Sequence, residues 1–183
     1  MMNEARQSGD HELVYRYSGP PKLELWRRPL GDGRFMHWMD QQDRVPGVVI
    51  IPTDGRSVVL IRQWRESIGR DVWQFPRGYR DGGDADALTA AARELAEETG
   101  IVGQARLLGT IWTDPGLLST SIVAVEVRAE LGQALGSHDP GERILEHRVV
   151  EIASVPEWIR DGRLSDGISL AAWALHAAAR PPA

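Results

Sequence analysis

The stretch that decides the fold is GYRDGGDADALTAAARELAEETGI, from Gly78 to Ile101. The segment from Ala85 to Thr99 is mostly Ala, Leu, Arg and Glu, without Pro or Gly, and this composition predicts an α-helix. Asp84 or Asp86 can cap its first turn, because a side-chain oxygen there accepts a hydrogen bond from a backbone N–H. Gly100 is placed to end the helix in a left-handed turn.

Three carboxylates fall close together on this predicted helix, at Glu94, Glu97 and Glu98. Carboxylates this close repel one another, and a hard divalent cation relieves the repulsion. Mg²⁺ prefers oxygen ligands and is usually held by a few carboxylates together with substrate phosphates. Arg93 lies one helical turn before Glu97 and could pair with it and hold it in place. The alternative interpretation is a solvated acidic face of a surface helix.

The whole pattern resembles the Nudix box of the Nudix hydrolases. That signature is Gly, five residues, Glu, seven residues, and then Arg-Glu-U-x-Glu-Glu-x-Gly-U, where U is a bulky aliphatic residue. The second half matches at every fixed position. The matching residues are Arg93, Glu94, Leu95, Glu97, Glu98, Gly100 and Ile101.

The first half of the box departs from the signature. Gly78 lies fifteen residues before Arg93, where the family has fourteen, and the first Glu is missing. Counting back from Arg93 places Ala85 at its position, whereas counting forward from Gly78 places Asp84 there. The turn before the helix is therefore expected to be one residue longer, with Asp84 or Asp86 as a shorter substitute.

The box assigns candidate metal ligands. Glu94 and Glu98 are the first candidates for binding Mg²⁺ or Mn²⁺, with Glu97 close behind, and all three supply hard oxygen ligands. The resemblance implies that the backbone carbonyl of Arg77 could be a further ligand. Arg93 joins the candidate catalytic residues through its expected pairing with Glu97.

The general base is open. In the ADP-ribose pyrophosphatases it can be a Glu from a loop beyond the box, and the resemblance implies Glu142 or Glu146 here. A surface Glu without a catalytic role is an equal alternative for either residue. Glu97 is the remaining candidate base.

The resemblance extends beyond the box, over most of the chain after about Trp26. Residues 62–65 (RQWR) and 73–78 (WQFPRG) resemble the approach to the box in ADP-ribose pyrophosphatases and related nucleoside-diphosphate-sugar hydrolases. Those enzymes typically read Arg-Gln-Tyr-Arg and then Trp-Glu-Leu-Pro-Ala-Gly. This chain departs from them with Gln74 for Glu and Arg77 for Ala.

A pyrophosphate substrate carries negative charge that planar guanidinium groups recognise well. Arg62 and Arg65 are the first candidates to bind it and Arg77 is a further one, although each could equally be a solvated surface Arg. A base or ribose would favour an aromatic platform, for which Trp38 and Trp64 are candidates. Core packing is the commoner use of Trp.

Composition excludes several classes of protein. The 183 residues favour one domain with a small appendage. The net charge of −5 argues against a protein that binds nucleic acid through a general basic surface. The absence of Cys excludes disulfides, a thiol nucleophile and a thiolate zinc site. No signal-peptide core and no run of transmembrane length is present, so we expect a cytoplasmic protein without membrane partners.

The order of elements predicts an α/β fold. Three strand-like runs, Glu12–Tyr17, Lys22–Arg28 and Arg34–Met39, predict a small antiparallel β extension within residues 1–45. Residues 46–183 contain buried-type strands on both sides of the box helix and a C-terminal helix. The resemblance implies the Nudix α-β-α sandwich with a mixed sheet for this part. It also implies a homodimer, in which the extension completes the substrate site of the partner.

Three functions fit the sequence. The first is a Mg²⁺-dependent hydrolase that cleaves the pyrophosphate of ADP-ribose or a nucleotide sugar into a nucleoside monophosphate and a sugar phosphate. The second is the same chemistry on a dinucleoside polyphosphate, a nucleoside triphosphate or a capped RNA end. The third is a Nudix module that binds a nucleotide without cleaving it. The RQWR segment at 62–65 and the N-terminal strands favour the first, and the intact carboxylates oppose the third.

Overall fold

The structure is a computed structural model that describes residues 10–19, 22–41, 45–132 and 143–179. The chain divides into two compact units, one made of Met1–Val45 with Trp112–Ser121 and the other of Pro46–Ile111 with Ile122–Ala183. Over the described residues, none of the helices has the length and apolar character that a membrane crossing requires.

The N-terminal unit is built on a three-stranded antiparallel sheet, as the sequence predicts. Its strands are β1 (Glu12–Tyr17), β2 (Leu23–Pro29) and β3 (Phe35–Gln41), in that spatial order. Residues 112–121 belong to the same unit. The Met39 N–H donates to the Leu117 carbonyl at 2.7 Å, and the Ser119 N–H donates to the Met39 carbonyl at 2.9 Å. The segment of residues 117–119 is thereby joined to β3.

The second unit contains a mixed seven-stranded sheet. The strands are β4 (Gly47–Thr53), β5 (Ser57–Arg65), β6 (Arg70–Gln74), β7 (Arg77–Gly78), β8 (Gln104–Trp112), β9 (Ser121–Arg128) and β10 (Ile144–Glu151). The main path of the sheet runs β10-β5-β4-β9-β8, with β6 paired to β5 and β7 paired to β4. The β4–β9 pair is parallel, whereas β5 is antiparallel to β4, β6 and β10.

Helices cover both faces of this sheet. They are α1 (Ala87–Thr99), α2 (Val155–Arg160) and α3 (Gly167–Ala178). Side chains alternate between the faces of a strand, and β4 accordingly sends Val48 and Ile50 into one apolar core with α1. Val49 and Ile51 enter a second core, which holds residues of α2 and α3. The predicted α-β-α sandwich with a mixed sheet is confirmed.

Three local predictions from the sequence need correction. The apolar run at residues 57–61 predicts a strand that ends at Ile61, but β5 continues to Arg65 because its polar residues 62–65 pair with β6. The sequence predicts a short strand that starts at Arg148, but β10 begins at Ile144 because its first half pairs with that same extension of β5. The sequence predicts Ser154 as the cap of α2, but its side chain makes no capping hydrogen bond, since its backbone is already helical (φ −88°, ψ −15°) rather than extended.

Candidate active site

Helix α1 begins two residues later than predicted and ends as predicted. Asp86, not Asp84, is its cap: the Asp86 carboxylate accepts hydrogen bonds from the Thr89 N–H at 2.8 Å and the Thr89 hydroxyl at 2.9 Å. Gly100 ends the helix with a left-handed backbone (φ 73°). Its N–H donates to a carbonyl one turn earlier, which satisfies one of the last carbonyls of the helix.

The box carboxylates divide between the buried and the exposed side of α1. Ala91 and Leu95 pack into the apolar core below the helix. Glu94 (8% exposed) and Glu98 (1% exposed) are turned to the same side, whereas the Glu97 side chain is 52% exposed. Burial of an ionised carboxylate is costly unless a donor, a cation or a metal compensates it. Two of the three carboxylates therefore occupy a position that requires such compensation.

The short strand β7 lies against both buried carboxylates. The Arg77 N–H donates to Glu98 Oε2 at 3.2 Å. The next residue, Gly78, leaves no room for a side chain, because a Cβ there would overlap the Glu94 carboxyl group. β7 thus places peptide groups, without side chains between, directly beside the two carboxylates.

Arg93 connects the exposed and buried carboxylates. Its Nη1 lies 2.8 Å from Glu97 Oε2, which confirms the pairing that the sequence predicts. Its Nη2 lies 3.1 Å from Glu94 Oε1 and donates to the Tyr79 carbonyl at 2.9 Å. One guanidinium group therefore partly neutralises two of the three box carboxylates.

Arg93 also binds Asp84, the acid that precedes the cap. Its Nε lies 3.3 Å from Asp84 Oδ1 and its Nη2 lies 3.0 Å from Asp84 Oδ2. These hydrogen bonds hold the pKa of the Asp84 carboxyl below its ordinary value and raise the pKa of Arg93. Asp84 is therefore ionised and fixed to the guanidinium near neutral pH.

The structure places Arg65 on the same face of the sheet as α1. Val59 belongs to the α1 core, and alternation along β5 carries Gln63 and Arg65 to that face. Arg65 donates from Nε and Nη2 to Gln74 Oε1 at 2.9 and 2.8 Å, and Gln74 Nε2 donates to Gln63 Oε1 at 2.7 Å. Gln74 stands where the resembling enzymes have Glu. It therefore offers the guanidinium a neutral amide oxygen in place of a carboxylate.

Arg62 lies on the opposite face, in a network with Glu146. Its Nη1 is 3.1 Å from Asp71 Oδ2, and its Nη2 is 3.2 Å from Glu146 Oε2. Its guanidinium lies 5.9 Å from the ring centre of Trp73, which packs against the α2 and α3 core. Arg148 pairs with Glu146 from the same strand. The structure thus brings the predicted site residues Arg62 and Glu146 together, but on the face of the sheet opposite α1.

The remaining sequence candidates are dispersed. Trp64 shares the face of the Arg62 network by strand alternation. The Arg77 side chain points to the same face, where its Nη1 lies 3.4 Å from Asp166 Oδ1 at the start of α3. Trp38 belongs to the N-terminal unit and lies directly across from Trp26 on the neighbouring strand. Glu142 lies outside the described residues.

The carboxylates of α1 fit a divalent metal by their chemistry. Among the described residues, no three acidic or His side chains are already grouped as metal ligands. Arg93 takes up oxygens of Glu94 and Glu97 through ion pairs. The donor set is nevertheless entirely hard oxygen, and it lies against the Gly78 peptide with no intervening side chain.

His147 is a neighbour of the site that sequence reasoning misses. Its Nε2 lies 2.8 Å from the Glu98 backbone carbonyl, so β10 contacts the last turn of α1. A single His in a polar strand carries no motif, and only the position of β10 beside β5 reveals this contact. His147 is thus a support for the backbone that carries Glu98.

Comparisons with known proteins show the family of this chain. The family model described as NUDIX domain matches residues 41–167. An ADP-sugar pyrophosphatase from Mus musculus is 32% identical over 118 residues, which are 60% of this chain and 52% of that protein. An ADP-ribose pyrophosphatase from Mycobacterium tuberculosis is 30% identical over 99 residues, 51% of this chain and 47% of that protein. The matched segments thus span about half the length of these relatives.

Two further matches differ in kind. An RNA pyrophosphohydrolase from Caulobacter vibrioides is 49% identical over 63 residues, which are 34% of each chain. A solved structure of an ADP compounds hydrolase superposes with a TM-score of 0.69 at 18% identity and covers 93% of this chain and 94% of that one. At this identity the structural likeness concerns the fold alone.

Proposed function

The chain belongs to the NUDIX domain family, and from this premise we propose that it is a metal-dependent pyrophosphohydrolase of ADP-ribose or a related nucleoside diphosphate sugar. The observation that carries the proposal is the placement of Glu94 and Glu98, two buried carboxylates on one helix that lie against the β7 peptides. Support for the substrate class comes from the relatives named ADP-sugar and ADP-ribose pyrophosphatase.

In this proposal Glu94 and Glu98 hold the metal, Mg²⁺ or Mn²⁺, and Glu97 and the Arg77 carbonyl are further candidate ligands. When bound, the metal supplies charge neutralisation on the phosphates and activation of water. Arg65 presents its guanidinium group on the α1 face, and this planar group can donate two parallel hydrogen bonds to phosphate oxygens. The neutral Gln74 amide leaves the Arg65 charge less compensated than a Glu would.

The reaction is a hydrolysis in which water attacks one phosphorus of the anhydride. The new P–O bond forms as the bond to the bridging oxygen breaks, and the leaving phosphate keeps that oxygen. Among the described carboxylates, Glu97 is the favoured acceptor of the water proton, because it is half-exposed and lies on α1. Glu146 is held by Arg62 and Arg148 on the opposite face, which disfavours it as the base.

A substrate panel tests this proposal. We expect ADP-ribose to give AMP and ribose 5-phosphate with Mg²⁺ or Mn²⁺, at a higher kcat/KM than UDP-glucose, a dinucleoside polyphosphate or a nucleoside triphosphate. Products are separated and quantified by liquid chromatography, with EDTA as the metal-free control. Preferential turnover of a substrate that is not a nucleoside diphosphate sugar would overturn the proposed substrate class. A ligand that binds but survives incubation with both metals would show a binding module instead.

A second candidate function is hydrolysis of the 5′ end of RNA. It is favoured by the higher identity to an RNA pyrophosphohydrolase, which extends over 63 residues. The net charge of −5 and the absence of a general basic character disfavour it. A short RNA with a 5′-triphosphate distinguishes the two functions in the same panel, because only this second candidate would release pyrophosphate from it.

We further propose a homodimer formed through the N-terminal sheet. Tyr15, Leu25 and Met39 are register partners across β1, β2 and β3, so their side chains share one face. Tyr15 is 61% exposed and Met39 is 40% exposed. An exposed apolar face of this kind on a small sheet is typical of an interaction surface.

The Tyr15→Glu variant is expected to shift the protein from dimer to monomer, because it places a charge within this apolar face. Light scattering after size-exclusion chromatography measures the mass. Val102→Glu is the matched control, since Val102 is also an exposed hydrophobic residue but lies in the other unit. A wild-type protein that is monomeric at micromolar concentration would contradict the dimer.

A further inference from the structure

Asp84 is a buried carboxylate that is locked into the turn before α1. Its side chain is 5% exposed. The Asp81 N–H donates to Asp84 Oδ2 at 2.8 Å, and the Asp84 N–H donates to the Asp81 carbonyl at 3.0 Å. Arg80 donates to the Asp84 carbonyl at 3.2 Å. These hydrogen bonds stabilise the turn and hold the Asp84 carboxylate in one position.

The function of Asp84 differs from that of its neighbour Asp86. Asp86 is exposed, and the hydrogen bonds it accepts come from Thr89 within α1. Asp84 instead contacts Arg93 with both carboxylate oxygens, at 3.3 and 3.0 Å. Of the two acids that could replace the missing Glu of the box, only Asp84 reaches the guanidinium that joins the box carboxylates.

The guanidinium of Arg93 lies between Asp84 on one side and the box carboxylates on the other. On one side lie Asp84 and the Tyr79 carbonyl. On the other side lie Glu94 at 3.1 Å and Glu97 at 2.8 Å. A metal ion and Arg93 would draw on the same carboxylate oxygens. Without its hydrogen bonds to Asp84, the Arg93 guanidinium could move fully onto Glu94 and Glu97 and compete with the metal for their oxygens.

We propose that Asp84 is a positioning residue that restrains Arg93, and that the longer turn before α1 compensates for its short side chain. An Asp carries its carboxylate one methylene closer to the backbone than the Glu of the signature. The extra residue in the turn lets the backbone of residue 84 approach Arg93 by the missing distance. The consequence for catalysis rests on the proposed activity, and the consequence for metal binding rests only on Glu94 and Glu98 as the metal ligands.

The first test compares Asp84→Asn with Asp86→Asn. Each variant removes one negative charge near the start of α1, but only the first loosens Arg93, and Asn retains the capping of α1 at residue 86. Calorimetric titration with Mn²⁺ should show a roughly 10- to 100-fold weaker Kd for Asp84→Asn, as for loss of a residue that orients metal ligands. For Asp86→Asn the Kd should change by less than about twofold. Equal effects of the two substitutions would overturn the proposal.

The second test addresses the length of the turn. Asp84→Glu alone and deletion of Ala85 alone should each weaken Mn²⁺ binding, because each mismatches the side chain and the turn. The double variant should bind Mn²⁺ more tightly than either single variant, a non-additive result expected of coupled positions. A double variant no better than the weaker single variant would contradict the compensation. If circular dichroism shows that Asp84→Asn is unfolded, this series takes the place of the first test.

Steady-state kinetics on ADP-ribose add a readout that separates the two proposals. In Asp84→Asn we expect the metal concentration for half-maximal rate to rise while KM for ADP-ribose stays within about twofold. Wild-type protein that binds Mn²⁺ but hydrolyses no diphosphate would refute the proposed function alone. Wild-type activity with identical metal dependence in Asp84→Asn and Asp86→Asn would refute the function of Asp84 alone.

Discussion

The Glu98→Gln variant is expected to lose more than about 100-fold of the kcat for pyrophosphate hydrolysis, the upper range seen for residues that only orient a metal ligand. The physical reason is the loss of a negatively charged ligand at a position with 1% exposure. Gln has nearly the same shape and keeps an oxygen that can accept the Arg77 N–H. The measurement is phosphate release from the products in a phosphatase-coupled assay with saturating Mg²⁺.

Glu151→Gln is the control for this variant, because Glu151 is an exposed carboxylate at the end of β10. It should keep wild-type kcat and wild-type thermal stability. Glu98→Gln should also remain folded, because removal of a buried charge lowers the cost of desolvation. Retention of wild-type turnover in Glu98→Gln would exclude Glu98 from the active site.

The Gly78→Ala variant is the second change with a large expected effect. A Cβ at residue 78 would overlap the Glu94 carboxyl group, so either the carboxylate or β7 must move. Overpacking of this kind typically costs about 1–3 kcal/mol of the free energy of unfolding. Displacement of a ligand by about 1 Å can cost about 100-fold in rate. We therefore expect a lower Tm and at least about a 100-fold fall in kcat.

Gly82→Ala provides the matched control. A Cβ at Gly82 meets no atom within 4 Å, and the residue lies in the loop that follows β7. Its Tm and activity should equal those of the wild type, measured by differential scanning calorimetry and the same coupled assay. Wild-type kcat in Gly78→Ala would mean that the Glu94 carboxylate can leave Gly78 without consequence for the reaction.

Much of the fold follows from local sequence signals. The composition between Ala85 and Thr99 predicts α1 to within two residues, and Gly100 predicts its end, because both signals are properties of the helix itself. The continuous apolar run at residues 46–52 likewise predicts the buried strand β4, because this signal lies within the strand itself. The longer extents of β5 and β10 depend on pairing between distant segments, which polar residues such as Arg62 do not reveal.

The candidate site is predictable in part. The spacing of Glu94, Glu97 and Glu98 indicates a shared helix surface, but it does not show that Glu97 is the exposed one of the three. The sequence also treats Arg62 and Arg65 as equivalent. Strand alternation separates them, since Arg65 lies on the α1 face and Arg62 on the opposite one. Which face carries the site is a property of the sheet and its helices.

The choice between Asp84 and Asp86 likewise requires the structure. Both acids precede the helix, and both can cap a helix or bind an Arg. The turn that follows Arg80 buries Asp84 beside Arg93 and leaves Asp86 at the first turn of α1. The altered first half of the box is thus an altered support for Arg93 rather than an interruption of the helix.

The most direct test of the central claim is anomalous diffraction from crystals soaked in Mn²⁺ and a non-hydrolysable methylene analogue of ADP-ribose. We expect an anomalous peak within ligand distance of the Glu94 and Glu98 carboxylates, about 2.0–2.6 Å, with the bridging group of the analogue beside it. The Glu98→Gln crystal should lose that peak. A peak elsewhere in the molecule, with none at α1, would contradict the assignment of these carboxylates as the metal centre.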